Sequence, residues 1–208
     1  MIYLTGAKNK EVEPYILSGH VGLLNTPKTS YRIDETIKVW AMDNGCFTNT
    51  YPGDIEYLKK LKKYQAFSMN CLFATAPDVV GDAIETLKLS IPMFSQIKSL
   101  GYAVALVAQD GMESMELPWS QFDWLFIGGS TEWKLGKGCS ELILQAKNNG
   151  KKIHVGRVNS CQRFVKFSQL DCDTADGTFL AFGPSVNLPK LLSWYKSASA
   201  KKEQLKLW

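Results

Sequence analysis

Val39-Trp40-Ala41-Met42-Asp43-Asn44-Gly45 is a short apolar run with strand-type alternation that stops at polar turn residues. A strand repeats every two residues, so Val39, Ala41 and Asp43 share one face while Trp40 and Met42 share the other. Bulky side chains toward surrounding helices and small ones toward a barrel axis would place Asp43 at the barrel mouth. The same form recurs along the chain. Apolar runs at 2–4, 37–42, 71–75, 102–109, 124–127, 152–155, around Cys172 and at 179–182 end in Gly, Asp, Asn or Pro and alternate with helical patterns. Repeated β-α units of this kind predict a parallel sheet, and about eight of them predict a closed (β/α)8 TIM-like barrel.

The helical patterns carry their own signals. Asp54 caps a stretch to Tyr64, Ser140 to Asn148 closes on Asn149-Gly150, and Ser160 opens a stretch to Gln169. Another begins near Asp82, with Ile84, Leu87, Ile91, Phe94 and Ile97 at helical spacing and Pro92 expected to kink or split it. Residues 5–35 read as an irregular first connection with one short helix, and 188–208 as a C-terminal helix. The 208 residues, 45% of them hydrophobic, suit one domain spanning 1–208.

No apolar run reaches bilayer length and the first residues lack a signal-peptide pattern, which predicts a cytoplasmic chain with no membrane partner. The five cysteines have no C-x-x-C spacing, so neither a zinc site nor a disulfide framework is expected, and no cofactor is called for. A net charge of +4 permits a polyanionic partner without demanding one.

Reactive residues gather where the predicted strands end. Gln109 follows Ala103, Ala105 and Val107 on one face, as Asp43 follows Ala41. Asp78 follows Thr75-Ala76-Pro77, Gly128-Gly129 follows Ile127, His154 to Arg157 closes the sixth run, and Asp173 and Asp176 close the seventh. In α/β barrels that edge is the catalytic face. Some of these residues also fit ordinary local roles: Asp43 suits a turn, Asp82 a helix cap, and His154 the core. Asp173 and Asp176, two acids three residues apart beside apolar strand, fit no such role as readily.

Five of these segments resemble, in order, motifs of the tRNA-guanine transglycosylases. Asp43-Asn44-Gly45-Cys46-Phe47 is similar to their Asp-Ser-Gly-Gly/Ala-Phe, and Val107-Ala108-Gln109-Asp110-Gly111 to their Val-Val-Gln-Gly-Gly. Ile127-Gly128-Gly129, His154-Val155-Gly156 and Asp173-Thr174-Ala175 resemble the family's later strand ends. The matches cover residues 37–178. Asn44 and Thr48 replace the family's Ser and Gln, Asp110 replaces a Gly, Cys172 replaces a Phe, and the C-terminal zinc-subdomain ligands are absent. The chain is thus more similar to short phage-type relatives that insert 7-deazaguanines into DNA.

The resemblance implies a pentosyltransferase that exchanges guanine in nucleic acid, DNA ahead of tRNA, for a free 7-deazaguanine such as preQ0 through an aspartyl-glycosyl intermediate. By the motif match Asp173 is the nucleophile, with Asp176 as its rival, and Asp43 is the general acid/base. Phe47, Asp78, Gln109, Gly128, Gly129 and His154 would bind the base. Lys134, Lys137, Arg157 and Arg163 would meet the nucleic acid, whose target nucleotide must be flipped out. The same acids could instead serve an N-glycosidase or nucleoside ribosyltransferase, and the substitutions at Asn44 and Thr48 leave room for a non-catalytic base-binding or nucleic-acid-binding barrel.

Overall fold

The computed structural model describes residues 1–29 and 31–205, with side chains up to residue 201. Its frame is a closed barrel of eight strands: β1 (Ile2–Thr5), β2 (Val21–Asn25), β3 (Trp40–Met42), β4 (Cys71–Thr75), β5 (Val104–Ala108), β6 (Trp124–Ile127), β7 (Lys152–Val155) and β8 (Thr174–Asp176). Every neighbouring pair is parallel, and the ring closes where β1 meets β8 in the register Leu4↔Asp176. Around it lie α1 (Glu13–Ser18), α2 (Asp54–Lys63), α3 (Ala83–Ser99), α4 (Thr131–Leu135), α5 (Lys137–Asn148), α6 (Cys161–Gln169) and α7 (Pro184–Leu205). This is a TIM-like (β/α)8 barrel. Among the described residues no helix is long and apolar enough to cross a membrane.

The two-residue period sorts the core into two layers. Leu4, Leu24, Ala41, Phe73, Ala105, Val107, Trp124 and Phe126 pack together inside the barrel. Their chain neighbours, such as Trp40, Met42, Ala74 and Leu125, belong to the larger cluster between sheet and helices. Each fully buried large apolar side chain contributes about 1.5–3 kcal/mol, so both layers favour one strand register. Trp40 fixes the outer layer further. Its ring meets Tyr64 and Tyr102 edge-on at 6.1 and 6.0 Å, and its Nε1 donates to the Phe67 carbonyl at 3.1 Å.

Several boundaries differ from expectation. Residues 5–35 hold not only the short helix α1 but a full barrel strand, β2. Gly22 interrupts its apolar run because a Cβ there would stand 2.3 Å from Leu4 Cδ2 on β1. The last strand is Thr174–Asp176 rather than a run around Cys172, and 179–182 forms a turn leading into α7, which starts at Pro184. Gly53, not Asp54, is the N-cap of α2. Helix α3 runs unbroken through Pro92, which lies on the solvent face, where water can satisfy the carbonyl left free.

Candidate active site

The mouth at the C-terminal ends of the strands is a cavity with about 510 Å³ of empty space including its open side. Its wall includes Asp43, Asn44 and Phe47 after β3, Asp78 and Val80 after β4, Gln109 after β5, Gly128 and Gly129 after β6, Gly156 and Arg157 after β7, and Asp176 at the end of β8. The alternation of Ala41 and Asp43, and of Val107 and Gln109, therefore delivers both polar side chains to one chamber.

Asp43 is half-buried, and its carboxylate accepts from the Gly45 amide at 2.6 Å. Burial pushes its pKa up to about 7; the Gly45 hydrogen bond opposes the rise, and the nearby carboxylates Asp176 and Asp78 add to it. Asn44 ties the β3 and β4 loops together by donating to the Ala76 carbonyl and to Asp78 Oδ1, both at 2.7 Å, while its own Oδ1 accepts from Cys46 N at 2.8 Å. Gln109 donates to Asp78 Oδ2 at 2.8 Å and accepts from Gly81 N at 3.0 Å. Burial also raises the Asp78 carboxyl above its ordinary value, against hydrogen bonds from Asn44, Cys46 and Gln109.

Across the chamber, Asp176 Oδ1 accepts from the Arg157 amide at 2.7 Å, and its side chain is 15% exposed. Arg157 sits at φ 62°, an uncommon left-handed backbone for a non-glycine residue. Its guanidinium lies over the Phe47 ring, 4.6 Å from the centroid, and donates to the carbonyls of Gly128 and Gly129. The amides of both glycines are already used by the Ala108 carbonyl, so the expected base contact from the Gly129 backbone is restricted to carbonyl oxygens. Glycine at 129 avoids a clash, since a Cβ there would lie 2.3 Å from the Trp133 ring and 2.5 Å from Asp110 Oδ1. Asp110, which departs from the motif, accepts from the Ser130 amide and hydroxyl, both at 2.6 Å, and so anchors the start of α4.

Asp173 does not reach this chamber. Its carbonyl accepts from Ile2 N at 2.9 Å and its Oδ2 from Ile153 N at 2.7 Å, which places it at the N-terminal ends of β1 and β7. The β8 strand carries Thr174 and Asp176 on its inner face, so the rival position, Asp176, is the one opposite Asp43. The reason is register: an apolar run centred on Cys172 would have ended at Asp173, whereas the strand begins after it.

His154 does not line the mouth either. It is fully buried inside the barrel, with ring centroids 4.3 Å from Phe126 and 5.0 Å from Phe73. Of the four cations expected to meet nucleic acid, Lys134 is buried and donates to the Gly156 carbonyl at 2.6 Å. Burial and then the charge of Arg157 bring its pKa down to about 7. Arg157 is engaged inside the mouth. Lys137 is exposed and paired with Glu141 at 3.2 Å, and Arg163 lines a groove with Asn159, Ser160, Gln162 and Lys166. A lysine-lined cleft that sequence reasoning misses lies beside α2, with Lys28, Lys59, Lys60 and Lys63 in its wall; the closely spaced lysines at 59–63 are its trace in the sequence. Among the described residues no group of three or more His, Cys, Asp or Glu side chains is placed to hold a metal ion.

Fold and site together define a (β/α)8 barrel with carboxylates from β3, β4 and β8 lining one C-terminal mouth. Neither a protein-family model nor a curated protein matches the chain. Among solved structures it is similar to the EAL enzyme Bd1971 in a form with cAMP and cyclic-di-GMP bound, at 14% identity and a TM-score of 0.42, with 68% of this chain and 39% of that one covered. The chain thus spans 39% of the length of that protein. It is also similar to 3-hexulose-6-phosphate synthase from Salmonella typhimurium, at 13% identity and a TM-score of 0.47, covering 95% of this chain and 99% of the other. A third likeness is to the Amycolatopsis orientalis BexX/CysO complex, at 13% identity and a TM-score of 0.32, covering 86% and 70%. At these identities the likeness extends at most to the fold.

Proposed function

We propose that this chain is an enzyme that exchanges guanine in nucleic acid, DNA ahead of tRNA, for a free 7-deazaguanine base, with Asp176 as nucleophile and Asp43 as general acid/base. The observation that carries the proposal is the pair itself: Asp43 and Asp176 line one cavity, in different surroundings. Asp43, pushed up to about 7, is partly protonated at neutral pH and suited to proton transfer. Asp176 takes its place from an amide donor and presents a carboxylate to the chamber.

In the first half-reaction an Asp176 oxygen bonds to C1′ as the C1′–N9 bond to guanine breaks, and Asp43 gives its proton to the departing base. In the second, a 7-deazaguanine gives its N9 proton to the Asp43 carboxylate, N9 bonds to C1′, and the ester to Asp176 breaks. The protein ends as it began. Two carboxylates divide the work as they do in retaining glycosidases, whose transition state is likewise oxocarbenium-like.

Arg157 supports a guanine-type base. A guanidinium is a flat array of donors, and here it rests on Phe47 and donates to two carbonyls of the mouth. The N1–H and 2-amino edge of guanine is the same kind of array. On this reading the base takes the guanidinium's place and Arg157 turns outward toward the phosphates. Asp78 and Gln109 supply the remaining polar contacts, which matter because a desolvated heterocycle with unpaired groups loses about 1–3 kcal/mol per group. Mass spectrometry of nucleosides from DNA and tRNA of cells expressing the protein, with and without supplied 7-deazaguanine, tests the proposal. It predicts a deazaguanine nucleoside, in DNA ahead of tRNA; base loss without exchange would favour an N-glycosidase, and unchanged nucleosides in both pools would overturn it.

A further inference from the structure

His154 is a buried polar residue that the mechanism above leaves unused. Nδ1 lies 2.8 Å from Thr174 Oγ1, while Nε2 is buried with no hydrogen-bond partner. Asp176 Oδ1 lies 3.7 Å from Nε2. Two apolar rings, Phe126 and Phe73, also pack against the imidazole, with centroids 4.3 and 5.0 Å away. A bare Nε2 lone pair facing a carboxylate would be repelled. The Thr174 hydroxyl can donate to Nδ1 and leave the hydrogen on Nε2. Nε2–H then stands beside Asp176, 3.7 Å from Oδ1, close enough for electrostatic attraction but longer than a hydrogen bond.

We infer that His154 is a positioning residue that fixes the Asp176 carboxylate from below, through its Nε2–H. The inference rests on the base-exchange reading for its catalytic consequence but not for the contact itself. Both the Arg157 amide and the His154 ring address Oδ1. Oδ2 therefore remains as the oxygen to bond with C1′. Once the ester forms on Oδ2, Oδ1 is its carbonyl oxygen, and charge returns to the carboxylate as the second half-reaction breaks that ester. A donor beside Oδ1 stabilises the returning charge, so it assists release of the sugar more than its capture.

The test has two arms. In the first, long-range proton–nitrogen NMR of protein labelled at histidine reads the tautomer directly; the chain has two histidines, and His20→Gln assigns the pair. The inference predicts a hydrogen on His154 Nε2 and a clear shift of its resonance in Asp176→Asn. An Nδ1–H tautomer, or a resonance indifferent to Asp176→Asn, overturns it whether or not the protein exchanges bases. In the second arm, His154→Phe should lower kcat roughly tenfold or more, with KM for the base nearly unchanged and a larger steady-state fraction of glycosyl-enzyme. His154→Gln, which can return an N–H donor near the Nε2 position, should restore part of the loss, and Thr174→Val should mimic it in milder form. Equal effects of Phe and Gln, or a change confined to KM, overturn the inference. Correct NMR behaviour in a protein that exchanges no base would leave the His154–Asp176 contact standing and remove the proposed reaction.

Discussion

Replacing Asp43 by asparagine should stabilise the protein, by an amount that grows with pH. Asparagine keeps the size of the side chain and an oxygen to accept the Gly45 amide, now held at 2.6 Å, but it has no charge to bury. Raising the carboxyl from 3.8 to about 7 corresponds, at about 1.4 kcal/mol per pH unit, to roughly 4 kcal/mol favouring the neutral form in the folded state. Asp176 and Asp78 share part of that interaction, so this figure is a ceiling. Between about pH 4 and pH 7 the folded protein holds a proton at Asp43 that the unfolded chain has lost, so stability falls as pH rises through that window and levels off above it. Urea unfolding of both proteins from pH 4 to pH 8.5 measures the difference. Asp43→Asn should match the parent near pH 4, gain steadily to pH 7, and keep a constant advantage above it. A difference that does not change with pH would refute the assignment of Asp43 as a carboxyl raised by burial.

Asp173→Asn should lower stability by about 1 kcal/mol through a weakened bond to the Ile153 amide, with base exchange unchanged; denaturant melts and an exchange assay check it together. Gly129→Ala should cost about 1–3 kcal/mol, because the new Cβ meets the Trp133 ring and Asp110, and thermal melts would show the loss. Lys134→Met should leave the salt dependence of DNA binding unchanged, since its Nζ is buried on the Gly156 carbonyl. Arg163→Gln should reduce the slope of log K against log salt by about 1, measured by fluorescence anisotropy.

Much of the barrel is legible because its strands obey a strict period. Ala41 and Asp43, and Val107 and Gln109, alternate with residues facing the helices, which is enough to place the two polar side chains at the mouth. Strand β2 escaped because glycine weakens a strand signal, while the reason for Gly22, the approach of Leu4, is a tertiary contact. The three-residue β8 is too short to show its own period, and the apolar Cys172 drew the strand toward Asp173. The internal use of Lys134 and Arg157 was equally hidden, because a lysine that turns inward to a backbone carbonyl is written in the sequence just as one that meets phosphate is. His154 is visible as a residue inside an apolar run, but its closeness to Asp176 depends on the pairing His154↔Thr174 between β7 and β8.

Asp176, opposite Asp43, is the residue proposed to capture the sugar. Reaction with DNA labelled in the sugar of its deoxyguanosines, rapid denaturation, and peptide mapping of the adduct address it directly. A glycosyl ester should form on Asp176 in the active protein and be missing in Asp176→Asn; an ester on Asp173, or full exchange by Asp176→Asn, would contradict the claim.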